Sequence, residues 1–212
     1  MKSNDLINIG WQLARPCTNL HSALSSEPVL AVWGGDGVVP APLGPYTHWI
    51  SVDCRALPQA AHLPSGWLSV YVNTDDCASG VVVVDPAAIL LPQQPEQRSL
   101  AGALARSFPP IDAVAHVSEV HAWLVSQSFS HDPTHNAYFD DDNYMRVYQQ
   151  ECPLYSDEAI AVLGGWHFAW PDGDWQDLQD ATLLVWTFRD AEPWVEAWQM
   201  SDGSFQVFQR IS

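Results

Sequence analysis

Lysine is almost absent from this chain: Lys2 is the only one, and with seven arginines it faces 25 acidic residues, for a formal net charge of −17. So few bases argue against a surface for DNA, RNA or anionic lipid, all of which are met first through phosphate charge. Cysteine is sparse and scattered. Cys17, Cys54, Cys77 and Cys152 form no C-x-x-C pair and no Cys/His cluster of zinc-finger spacing, so they read as reduced, mostly buried thiols. Long apolar runs are missing too. The most hydrophobic stretch, VVVVDPAAILL, is interrupted by Asp85 and too short to span a bilayer, and MKSNDLINIGWQL lacks the uninterrupted apolar segment of a secretory signal. The expected location is the cytosol, with no membrane association.

Several catalytic signatures are absent as well. No G-x-S-x-G elbow presents a nucleophilic serine. GGDG (34–37) is followed by VVPAPLGP, whose prolines forbid the helix that a phosphate-cradling loop must feed, so it reads as a turn. Cys77 follows Asp75 and Asp76, whose charge disfavours a reactive thiolate. No cofactor is implied.

What is present is an ordinary globular composition, 47% hydrophobic over 212 residues, enough to bury a core without covalent staples. The charge is lopsided: residues 1–106 hold 8 acids and 5 bases, whereas residues 107–212 hold 17 acids and 3 bases. No internal repeat is evident. After an N-terminal helix, β-like runs follow at PVLAVW (28–33), YTHWISVD (46–53), WLSVYV (67–72) and VVVV (81–84), and PQQPEQRS (92–99) reads as a linker or surface loop. Ala113, Val117, Val120 and Leu124 recur at helical spacing and predict a helix over 112–126. HDPTHNAYFDDDNY (131–144) reads as a loop and NYMRVYQQ (143–150) as a strand.

Near the C-terminus, TLLVWTF (182–188) and WVEAWQM-SDG-SFQVFQRI predict a three-stranded antiparallel meander. A two-residue Asp202-Gly203 turn would set Glu196 opposite Gln209 and Trp198 opposite Val207. The expected fold class is α+β: one domain over 1–212 with a β-rich N-terminal part, a central helical segment and a C-terminal antiparallel meander, with a possible seam near 92–100.

Three constellations could carry function. Alternation puts Glu196 between Trp194 and Trp198 on an apolar face, where a carboxylate must be paired or have a raised pKa, so it is the candidate catalytic acid or base. His131, His135 and Asp140 are the candidate metal ligands, but Pro133 prevents the two histidines from sharing a helix face. GGWHFAWPDGDW (164–175) alternates Trp166, Phe168 and Trp170, which suits a buried strand face or a sugar platform that also includes Trp175. The function expected from charge is a non-enzymatic interaction protein whose acidic half docks a basic partner, as an immunity protein or inhibitor does. Asp140, Asp141, Asp142, Asp172, Asp174 and Trp175 are its candidate contacts. The alternatives are a small metal-dependent hydrolase and a carbohydrate-binding module.

Overall fold

A computed structural model describes residues 3–57, 66–76, 78–91, 96–110, 113–114, 117–118, 120, 122, 142–152, 159–166, 178, 181–188 and 194–210. The chain is dominated by antiparallel β-structure. Helix α1 (Ser3–Leu13) precedes β1 (Arg15–Ser22), β2 (Ala31–Trp33), β3 (Tyr46–Asp53), β4 (Trp67–Asn73), β5 (Gly80–Asp85) and β6 (Arg98–Ser107). Helix α2 (Asp142–Glu151) then leads to β7 (Ala161–Gly164), β8 (Thr182–Thr187), β9 (Trp194–Gln199) and β10 (Phe205–Arg210). The ten strands found among the described residues join one sheet in the order β10-β9-β8-β7-β1-β6-β2-β3-β4-β5. The expected C-terminal meander is present. β6, which begins at Arg98, pairs with both β1 and β2.

The sheet curls until its two edge strands meet. The Gln209 amide N–H donates to the Ala78 carbonyl at 3.3 Å, and its side-chain Nε2 donates to the carbonyls of Ser79 (2.6 Å) and Asn73 (3.2 Å) in the β4–β5 turn. Gly80 lies so close to β10 that an added Cβ would sit 2.8 Å from Val207 Cγ1. The enclosed face carries the main core, including Leu20, Ile50, Leu68, Leu100, Leu163 and Val195, each at most 1% exposed. Each such side chain contributes about 1.5–3 kcal/mol by leaving water.

The pairing has an internal two-fold relation. β2–β5 and β7–β10 are two four-stranded meanders, and the lone strands are exchanged: β1 pairs with β7 of the second meander and β6 with β2 of the first, while β1 and β6 pair with each other. The match holds residue by residue. Ala31 faces Leu100 as Ala161 faces Leu20, and the register break between His48 and Ile50 in β3 recurs between Leu183 and Val185 in β8. AVWGG (31–35) thus corresponds to AVLGG (161–165), and all four of these glycines have positive φ, between 61° and 82°. The repeat is short in sequence, which is why it is invisible without the register.

Three local expectations are corrected. NYMRVYQQ is not a strand but most of α2; Tyr144, Tyr148 and Cys152, four apart, form its buried stripe against Leu6, Ile9 and Phe108. The α1 backbone approaches closely at Gly10, where a Cβ would fall 2.3 Å from the Phe108 ring. The last hairpin closes through three residues, Ser201-Asp202-Gly203: the Gly203 N–H donates to the Met200 carbonyl and Met200 N–H to Ser204. Gly203 takes φ +83°, as the left-handed third position of such a loop requires. The register therefore shifts by one, and Glu196 faces Phe208, not Gln209, while Val207 faces Ala197, not Trp198. Within 112–126, Val114 and Val120 are fully buried whereas Ala113 and Val117 are only partly so, and Leu124 lies outside the described residues.

Candidate functional site

The two-fold relation places four pairs of outward-facing positions in correspondence: His48 with Leu183, Ser51 with Trp186, Ser69 with Glu196 and Tyr71 with Trp198. Both sets are buried although they lie on the side of the sheet away from the main core.

In the first meander the set is polar and its hydrogen bonds have one consistent direction. The Gly34 carbonyl, 3.1 Å from His48 Nδ1, can only accept, so Nδ1 carries the proton and Nε2 is left as an acceptor. The Ser51 hydroxyl donates to Nε2 at 2.8 Å. Ser51 Oγ in turn accepts the Val38 N–H at 3.0 Å and the Ser69 hydroxyl at 2.6 Å, and Ser69 Oγ accepts the Val39 N–H at 3.0 Å. Tyr71 donates its hydroxyl to the Val39 carbonyl, and its ring meets the His48 ring edge-on with centroids 5.4 Å apart. Burial pushes the His48 pKa below its ordinary value, against the pull of the Gly34, Gly35 and Ile50 backbone and of Asp36.

A serine, a histidine and a carbonyl that orients the ring are the elements of a nucleophile–base pair. Here, however, Ser51 is 0% exposed and both of its acceptor sites are filled, so its hydroxyl has no free approach to a substrate carbonyl in this arrangement. What the chemistry does is fasten residues 34–39 to β3 and β4. Sequence reasoning missed this cluster; the available signal was the run of polar positions, His48, Ser51 and Ser69, inside otherwise apolar strands.

In the second meander the corresponding set is aromatic with one acid. Glu196 is 0% exposed, and Trp198 Nε1–H donates to its carboxylate at 3.3 Å. Trp186 stands opposite Glu196 in the neighbouring strand, 6.4 Å from the Trp194 ring and 4.8 Å from that of Phe188. Cys17, Leu178 and Ala181 complete this cluster.

Compared with known proteins, the chain matches no family model and no curated protein.

Of the remaining candidate residues, Asp142 opens α2. His131, His135, Asp140, Asp141, Asp172, Asp174 and Trp175 lie outside the described residues, as do Phe168 and Trp170. Among the described residues no group of three or more His, Cys, Asp or Glu could hold a metal ion. Trp166 follows β7 instead of extending it, and its indole is occupied by the protein: Nε1–H donates to the Leu13 carbonyl at 2.9 Å, and the Arg15 guanidinium lies 3.5 Å over the ring. Cys17, Cys54 and Cys152 are buried, and Cys17 and Cys54 are free thiols. Burial pushes the Cys17 thiol up to about 12, with a smaller contribution from Cys152, and the Cys54 thiol up to about 11. Among the described residues no helix is long and apolar enough to cross a membrane.

Proposed function

We propose that this chain is a non-enzymatic, cytoplasmic interaction module that docks a basic protein through its acidic C-terminal half, in the way an immunity protein or inhibitor covers its target. The observation that carries this reading is the charge asymmetry: 17 acids against 3 bases over residues 107–212. Exposed carboxylates of one sign speed encounter with a cationic surface and select against nucleic acid and anionic lipid. Two described acids of that half, Glu151 and Asp202, are exposed, as this reading needs, while Glu196 is enclosed among tryptophans and serves the packing. The buried free thiols of Cys17 and Cys54, with raised pKa, suit a reducing compartment. The contacts we assign are Asp140, Asp141, Asp142, Asp172, Asp174 and Trp175.

The test is capture from a native lysate on the immobilised full chain. The expected result is a basic protein retained at low salt and eluted as the Debye length shrinks from about 10 Å toward about 3 Å. Retention of no protein, or of an acidic protein that resists salt, contradicts the reading.

A further inference from the structure

Residues 34–39 are tied to the sheet mainly by hydrogen bonds to their backbone, with Val39 as a buried apolar side chain among them; Gly34 N–H also donates to the Trp49 carbonyl and Gln97 Nε2 to the Asp36 carbonyl. Val38 N–H is held by Ser51, Val39 N–H by Ser69, the Val39 carbonyl by Tyr71 and the Gly34 carbonyl by His48. A serine hydroxyl has one hydrogen and two acceptor sites, and Ser51 uses all three: it gives to His48 Nε2 and receives from Val38 and Ser69. A second proton on the ring would point Nε2–H at an oxygen with neither lone pair free, and Nδ1 is already committed to Gly34.

We propose that residues 34–39 form an acid-released latch, shut by neutral His48 and opened when its ring gains a second proton. The groups that face the ring are Asp36 from the latch itself, Tyr71 from β4, and the backbone of Gly34, Gly35 and Ile50. Asp36 attracts an imidazolium but is exposed to water, whereas His48 is 7% exposed, so the cost of burying the charge prevails. The folded state favours neutral His48. The latch is therefore fully shut above the ordinary imidazole value of about 6.5 and loosens as pH falls below it. Opening frees the Val38 and Val39 amides and uncovers Ser51, Ser69 and Tyr71, giving the chain an outer surface that exists only in acid.

Amide hydrogen exchange on the full chain, expressed as protection factors, tests this. Protection at Val38 and Val39 is expected to fall as pH drops below about 6.5, by at most about tenfold per unit, while that at Val70 and Leu100 holds. The ring nitrogens of His48 are expected to report the Nδ1–H tautomer at neutral pH. His48→Gln should remove the pH dependence; if that variant does not fold, the contrast between the two pairs of amides in the native chain decides alone. In the reversed network, with Ser51 donating to Ser69 and Ser69 to the Tyr71 oxygen, Nε2–H would find a free acceptor on Ser51 and the latch would stay shut, so flat protection is the signature of that arrangement. Flat protection at Val38 and Val39, an equal fall at all four amides, or an Nε2–H tautomer at neutral pH overturns the proposal.

Discussion

Trp49 donates its Nε1–H to the hydroxyl of Thr187 at 2.9 Å, joining strands 138 residues apart in sequence. Trp49 sits at the register break of β3, in the first meander, and Thr187 ends β8 in the second. Thr187 Oγ also exchanges hydrogen bonds with the backbone of Val195, at 3.2 and 3.3 Å, so one hydroxyl ties both meanders and the next strand. The position that corresponds to Thr187 by the two-fold relation is Val52, nearly the same shape without the oxygen.

Thr187→Val is therefore expected to keep the fold and lose about 1–3 kcal/mol of stability, because it leaves the part-buried Trp49 indole N–H and the Val195 N–H without their acceptor. Thr187→Ser, which keeps the hydroxyl, should cost less. Urea unfolding followed by tryptophan emission measures both; a Val variant as stable as the native chain would show that the hydroxyl's hydrogen bonds contribute nothing.

Gly165 and Gly203 share nearly the same backbone, φ +82° and +83°, but not the same surroundings. A Cβ at Gly165 would lie 2.7 Å from Ser107 Cβ and 3.0 Å from Cys17 Cβ, whereas at Gly203 it would meet nothing within 4 Å. Gly203→Ala should cost only the left-handed penalty, about 1–2 kcal/mol. Gly165→Ala should cost that and a further ~1–3 kcal/mol of overpacking. Melting of the two variants side by side checks the difference, and equal costs would contradict the close approach of Gly165 to β1 and β6.

Sequence periodicity made some of this architecture legible. Four of the N-terminal strand runs and the C-terminal meander stand out because β-branched and aromatic residues cluster there between turn residues. β6 does not: RSLAGALARS has no β-branched or aromatic residue to mark it as a strand, and it is tight against β1 at Gly102. At Gly102 a Cβ would sit 2.6 Å from Thr18 Cγ2. The α2 segment reads as a strand because its tyrosines and valine favour strands, and only the four-residue spacing of Tyr144, Tyr148 and Cys152 betrays the helix. The hairpin register turned on whether Ser201 joins the loop, which Asp202 decides by accepting the Ser204 N–H at 2.8 Å and its hydroxyl at 2.6 Å. Of the polar cluster around His48 only the polar positions inside apolar strands were legible, since its members are brought together by a β-bulge and by a loop that supplies the Val38 and Val39 amides as donors.

Glu196 occupies the position that Ser69 holds in the other meander and accepts from Trp198. Glu196→Gln keeps an acceptor oxygen and nearly the same volume, so it should leave the fold intact at a small cost. Glu196→Ala removes both and should cost about 2–4 kcal/mol, in the range of other buried truncations. Comparison of the two by chemical denaturation checks this, and a Gln variant as unstable as the Ala variant would show that the charge itself is needed.

The thiols supply a kinetic prediction. With its pKa pushed up to about 12 and no exposed surface, Cys17 should be inert to a disulfide reagent in the native protein near neutral pH. Cys54, pushed up to about 11, should behave likewise. Both should react promptly once the chain is unfolded in denaturant. Modification of either at the rate of a free thiol in native buffer would contradict the burial described above.

The acidic half remains the centre of the functional account, and the salt dependence of its binding tests that account most directly. The affinity of the full chain for the basic protein it captures should weaken by at least ~10-fold between about 50 mM and about 500 mM salt. The triple variant Asp140→Asn, Asp141→Asn, Asp142→Asn should weaken it at low salt and flatten the slope. An affinity that changes with neither salt nor these three charges would contradict docking through the acidic surface.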